Sequence, residues 1–191
     1  MSWRQWLCQY LGCESDCSHV ELALGECLLR EDVLIDERGK LLEKIRQLEL
    51  LVPEAPPDVT WIAERDSAWV QAQLESMKLN IMRLPLDGDY KLTNRKTMTQ
   101  LIAWDTTDQL KYIPEYWDCD KFAMLFKIRM SLFFGLNQVA YIIDYASGHA
   151  YNLILFTDTE PMVLEPQSDG MYLWTKRLTD FYSLEGAFAI I

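Results

Sequence analysis

Residues 116–135 read YWDCDKFAMLFKIRMSLFFG, and their spacing sets the class of fold. Phe122, Phe126, Arg129 and Phe133 step by four, three and four, which is one face of an α-helix, and Gly135 is a natural stop for it. After that glycine the period changes. VAYIIDY (139–145), HAYNLILFT (149–157) and MVLEP (162–166) are short β-branched and aromatic runs separated by ASG and TDTE, and they read as strands joined by turns. A helix followed by antiparallel strands is α+β order, unlike the alternating strands and helices of a parallel-sheet protein.

Upstream, apolar residues recur at helical spacing from Val20 to Val52. Val20, Cys27, Leu34, Leu41 and Leu48 fall seven apart, Leu24, Ile45 and Val52 supply part of the companion position, and Leu28, Ile35 and Leu42 widen the stripe. Glu31 and Arg38 interrupt the companion position, and Gly25 and Gly39 weaken the helix. Two readings stay open: a coiled coil joining copies of the chain, or a helix packed on its own domain or in a helical hairpin. PEAPP (53–57) ends the helix as a short stiff linker. The expected organisation is an N-terminal helical oligomerisation segment over 1–55 and a second domain over 56–191. Helical spacing through Trp61, Val70, Leu74 and Met77 follows the linker, and LPLDGDY (84–90) reads as a solvated turn.

The 191 residues are enough to bury a core without covalent staples. With 29 acids against 18 bases, the formal charge of -11 disfavours a phosphate backbone as partner, so no nucleic acid is expected. Five cysteines, four of them in the first 27 residues, fit a reducing compartment better than a disulfide framework. The opening MSWRQWLCQYLGCESDC is too short in apolar residues for a signal-peptide core or a membrane span, and YLGC departs from a lipoprotein site at Tyr10. A cytoplasmic protein with no membrane partner is the expectation. Cys8, Cys13, Cys17 and His19 contain zinc-ligand types, but their gaps match none of the common paired spacings.

Cys119 sits at the start of the helix read over DKFAMLFKIRMSLFFG (120–135), where free backbone N–H groups favour a thiolate. His149, one of two histidines, begins a strand, and Glu165 ends the next; a hairpin centred near Thr157 brings these strand ends together, with Asn152 close by. A thiol, a base and an acid that orients the base are the parts of nucleophilic Cys-His-acid chemistry. Packing alone would also account for a lone cysteine.

Three blocks are more specific than spacing. YIPEYWDCDKFA, SGHAYNLIL and VLEPQSD occur in that order and resemble the papain-like C-terminal domain of the fairy-ring mushroom (Marasmius oreades) agglutinin and phage-encoded relatives of that lectin. The resemblance covers about Tyr112 to Asp169 and says nothing of the first 55 residues. It implies a papain-like cysteine peptidase fold, a helix bearing the cysteine on an antiparallel sheet. It also implies a cysteine hydrolase acting on a protein or peptide, with Cys119 as nucleophile, His149 as base and Glu165 as orienting acid. A catalytically idle structural or inhibitory phage-type protein, in host cytoplasm or virion, and a transglutaminase-like acyl transferase are the alternatives. The agglutinin's sugar-binding β-trefoil has no counterpart, so lectin activity is not implied.

The resemblance further places Asp118, Asp120 and Gln167 near a divalent cation, calcium or manganese. Two bare carboxylates beside Cys119 would oppose thiolate formation, and a cation would reverse that field. Lys121 stands where another acid is expected. It could instead neutralise one aspartate while the other caps the helix. Gln109, Gln100 and Trp104 remain open as donors to an oxyanion.

Overall fold

The structure is a computed structural model and describes residues 18–50, 55–59, 61–78, 85–175, 182–184 and 186–191. The zinc-type residues Cys8, Cys13 and Cys17 and the YLGC stretch lie outside these. Contacts divide the chain into two units, Met1–Arg46 and Gln47–Ile191.

Helix α1 spans Ser18–Leu50. Its leucines, glutamates, lysines and arginines are strong helix formers, which absorbs the cost of about 1 kcal/mol for each of Gly25 and Gly39. The pair Asp36 and Lys40, 2.6 Å apart one turn along the exposed surface, adds a few tenths of a kcal/mol. Leu28, Leu34, Ile35, Leu41, Leu42, Ile45 and Leu48 stand 49–63 % exposed, so the stripe read from the sequence faces solvent.

In the second unit, strand β1 (Ala63–Asp66) pairs antiparallel with β2 (Asp89–Leu92), and helix α2 (Ser67–Ser76) follows β1 directly. Asp66 caps α2, its carboxylate accepting the Trp69 N–H at 2.8 Å. Helical spacing from Trp61 therefore begins too early: AERD is strand, because its partner comes from a distant part of the chain. Helix α3 (Arg95–Trp104) is capped by Asn94 and buries Met98, Leu101 and Ile102. A 3-10 turn (Thr107–Gln109) leads toward helix α4 (Cys119–Phe134). Phe122, Phe126, Arg129, Met130 and Phe134 of α4 are buried, whereas Phe133 is 38 % exposed; the inward face ends on Phe134 rather than Phe133. Gly135, at φ 63°, closes α4 with its N–H on Ser131 O.

Strands β3 (Val139–Asp144), β4 (His149–Ile154), β5 (Met162–Glu165), β6 (Gly170–Leu173) and β7 (Phe188–Ile190) form an antiparallel sheet in the order β6-β5-β4-β3-β7. Its centre is buried on both faces, and side chains alternate between two cores. Ile142, Tyr151, Leu153 and Val163 pack with Val70 and Leu74 of α2, while Val139, Ile154, Met162 and Leu164 pack with Met98 and Leu101 of α3 and Phe126 and Met130 of α4. The papain-like assignment does not carry over to this architecture. A cysteine-bearing helix on an antiparallel sheet is common to many chains, and three residues in Cys-His-acid order do not dictate strand order.

Candidate functional site

Antiparallel pairing places Asn152 opposite Leu164, so Glu165 stands opposite Tyr151 and reaches diagonally to the first residue of β4. There a His149 ring nitrogen, Nε2, lies 2.6 Å from Glu165 Oε2. The same carboxylate oxygen accepts the Tyr182 hydroxyl at 2.9 Å, and Oε1 accepts the Gln167 N–H at 3.2 Å. Glu165 is 7 % exposed, and burial alone would push its pKa up. The His149, Gln167 and Tyr182 contacts outweigh burial and hold it below its ordinary value of 4.5. The Tyr182 ring packs edge-on against His149 and Tyr151, with centroids 5.7 and 5.1 Å away, so the imidazole is held from two sides.

A carboxylate whose folded pKa lies below its unfolded value contributes stability that is present above the unfolded value and lost as pH falls through the folded one. Between neutrality and about pH 4.5 this contribution is intact; below that it is expected to drain away. Glu165→Gln should cost about 1–2 kcal/mol at pH 7 and narrow its deficit on acidification. Urea midpoints of both proteins at pH 7 and pH 3.5 check this; a deficit of equal size at the two pH values rules it out.

Cys119 opens α4, a half-buried thiol packed against Ala123, Tyr141 and Ala150, the last being the residue that follows His149. Two of the three expected chemical groups, His149 and Glu165, are in direct hydrogen-bonded contact, and Cys119 packs against the cluster that contains Ala150, the next residue of β4. Asn152 is fully buried and has a different role: its amide donates to Ala123 O of α4 at 2.9 Å and to Ala140 O of β3 at 3.2 Å, tying the cysteine-bearing helix to the sheet.

The aspartates flanking Cys119 are not a bare pair. Lys121 Nζ lies 3.0 Å from Asp118 and 2.9 Å from Asp120, and Asp118 makes no side-chain cap to α4. Contacts with Asp120 and then Lys121 hold the Asp118 carboxyl low, and Lys121 is raised by both aspartates. Lys121 thus does alone what a cation was invoked to do, and it serves both carboxylates rather than one. Gln167 reaches the site through its backbone N–H. Among the described residues no group of three or more His, Cys, Asp or Glu could hold a metal ion, so the expectation of a metal-binding protein is corrected.

Of the residues open as oxyanion donors, Trp104 packs on Phe133 and Phe134, at the end of α4 remote from Cys119, and Gln100 and Gln109 are exposed. Tyr182 escaped the sequence reading because FYS (181–183) carries no local signal of its role. Arg129 did leave a signal: an arginine in the apolar stripe of α4 needs a buried acid, and Asp105 supplies it at 2.9 Å. A second acid group lies nearby in charge: burial, then Asp108 and Asp105, push Asp169 up to about 7.

No protein-family model matches the chain, and no curated protein does. Several solved structures are similar in fold, two of them as follows. PSL1a in complex with E64 superposes with a TM-score of 0.52 at 20% identity, over 67% of this chain and 50% of that one. The Polyporus squamosus lectin bound to the human-type influenza-binding epitope Neu5Aca2-6Galb1-4GlcNAc gives 0.51 at 20% identity, over 67% of this chain and 49% of that one. The chain spans about half the length of each. The second of these neighbours is a lectin, and the two together overturn the papain-like cysteine peptidase fold expected from the sequence. The enzyme assignment, with its hydrolase and thiol-protease chemistry, is corrected on the same ground. The physical reason is that a Cys-His-Glu order specifies donor types at three positions, while turnover also needs a substrate cleft and a developing-charge site that three residues do not specify. No helix among the described residues is long and apolar enough to cross a membrane.

Proposed function

We propose that this chain is a ligand-binding protein whose Cys119 captures an electrophile covalently and holds it without turnover, and that copies of the chain associate through residues 20–52. The observation that carries the first part is the 2.6 Å contact between His149 and Glu165, buttressed by Tyr182, with Cys119 packed against the cluster that contains Ala150, the next residue of β4. A carboxylate held ionised beside an imidazole favours the imidazolium that forms when the ring takes a thiol proton. The helix start then favours the thiolate left behind.

With an epoxide such as E64, the ligand of one neighbour, the step balances without a co-reactant. Cys119 Sγ forms a bond to an epoxide carbon, the carbon–oxygen bond of the ring breaks, and the thiol proton passes through His149 to the alkoxide. The product is a stable thioether.

Incubation of the full chain with E64, followed by intact-mass analysis and peptide mapping, is expected to give a single adduct on Cys119. Cys119→Ala should give none, and His149→Ala should slow labelling at least tenfold. Equal labelling of the wild type and Cys119→Ala would sink the thiol assignment. A second reading, glycan binding, is favoured by the lectin neighbour bound to a sialylated trisaccharide. Titration with that trisaccharide separates the two: saturable binding that survives Cys119→Ala supports the glycan reading.

A further inference from the structure

Residues 182–184 bond to the central sheet at every position, and each meets a different strand. The Tyr182 hydroxyl donates to Glu165 Oε2 of β5 at 2.9 Å, and the Ser183 hydroxyl donates to Asp144 Oδ2 of β3 at 3.0 Å. The Leu184 N–H bonds to the Tyr151 hydroxyl of β4, and the Leu184 side chain, 4 % exposed, packs into the core on that side. Residues directly opposite in an antiparallel pair share a face of the sheet. Asp144 stands opposite His149, and Glu165 stands opposite Tyr151, so all four lie on the face that this segment crosses. The segment therefore lies over the imidazole, with the Tyr182 ring edge-on to it.

Asp144 serves both sides of this arrangement. It is 1 % exposed; its Oδ1 accepts the N–H groups of Ala146 and Ser147 at 3.0 and 3.2 Å, which fixes the turn from which β4 starts at His149. Its Oδ2 accepts the Tyr151 hydroxyl at 3.3 Å as well as that of Ser183. An ionised carboxylate offers about four acceptor sites, and these donors occupy them, so Asp144 has no capacity left for a ligand. One buried side chain thus holds the strand end that carries the imidazole and the segment that covers it.

We infer that Asp144 and Ser183 are positioning residues for the His149–Glu165 pair: they clip residues 182–184 over it, so that Tyr182 keeps its hydroxyl on Glu165 and water is kept off the imidazole–carboxylate contact. This rests on the reading that His149 takes the proton of Cys119, and the clip is the new content. Excluding water lowers the local dielectric and strengthens the contact, and it fixes the ring before a ligand arrives.

Labelling of the full chain by E64, followed by intact mass over time at a series of E64 concentrations, separates a maximal rate from a half-saturating concentration. Ser183→Ala and Asp144→Ala are each expected to lower the maximal rate about tenfold and to leave the half-saturating concentration within about twofold, because pre-organisation acts on reacting geometry rather than on binding. Ser183→Thr returns the hydroxyl and should bring the rate back to within about twofold of the wild type. Circular dichroism sets a temperature at which each variant is fully folded. Should Asp144→Ala not fold, the two Ser183 variants decide.

A second readout does not pass through Cys119. His149 is one of two histidines, so its ring N–H facing Glu165 can be assigned by proton NMR from its loss in His149→Gln. In the wild type this proton is expected to exchange slowly with water, and in Ser183→Ala about tenfold faster. A maximal labelling rate or an exchange rate that Ser183→Ala leaves unchanged would overturn the inference while His149 keeps its role. A rate loss that Ser183→Thr does not recover, or an effect confined to the half-saturating concentration, would overturn it too. A wild type that E64 does not label at Cys119 would defeat the covalent-capture reading, and the exchange measurement then decides the clip by itself: faster exchange in Ser183→Ala supports it and equal exchange overturns it.

Discussion

Replacing Arg129 with methionine is expected to lower stability by about 3–5 kcal/mol, because the substitution strands a buried carboxylate rather than because an ion pair is lost. Arg129 and Asp105 have side chains 3 % and 0 % exposed, 2.9 Å apart, and Thr106 and Thr107 supply further oxygens to the guanidinium at 3.2 and 3.1 Å. Asp105 also accepts the Thr107 N–H at 3.1 Å, so one carboxylate holds both the arginine of α4 and the start of the 3-10 turn. Methionine matches the apolar stem but leaves Asp105 facing a dry core. The double variant Arg129→Met/Asp105→Leu should recover at least half of the loss, since no charge is then left behind. Urea unfolding of the three proteins decides it. A single-variant loss under about 1 kcal/mol would mean that water reaches the pair.

Asn152→Leu is expected to cost about 2–3 kcal/mol, the second-largest effect, through the two hydrogen bonds that join α4, β3 and β4. Leucine has nearly the same volume, so no large cavity complicates the reading. The distinctive consequence lies at the site. Since Asn152 bonds to Ala123 one turn beyond Cys119, loosening it should shift the thiol relative to His149 and slow E64 labelling severalfold, at a temperature where the variant is fully folded. Unchanged labelling with reduced stability would reduce Asn152 to a core hydrogen bond with no positioning role.

Much of the central sheet was legible in the chain. Strands expected over 139–145, 149–157 and 162–166 occur at 139–144, 149–154 and 162–165, because β-branched and aromatic runs between turn residues leave few other local solutions. The α4 helix was legible too, with its glycine stop. Where reading failed, a distant partner was responsible. AERD is strand only because DYKL returns to pair with it, and nothing within those four residues announces that. The fold's identity failed for a related reason: the Cys-His-Glu order and its flanking words describe local chemistry, and several chain paths can carry them.

For the site, residue types were legible and their partners were not. Cys119 at a helix start, with His149 and Glu165 at neighbouring strand ends, follows from local periodicity and hairpin length, both of which are short-range properties of the chain. That Lys121 pairs with both Asp118 and Asp120, that Tyr182 seals Glu165, and that Arg129 finds Asp105 are decisions of tertiary structure. A charge in the sequence demands compensation, but the compensating group is chosen by distances across the folded chain, and those depend on how the sheet and helices pack. Helix α1 is the opposite case: its apolar stripe and the two charges that interrupt it, Glu31 and Arg38, are written within one continuous helix, so local periodicity suffices to state which face is apolar.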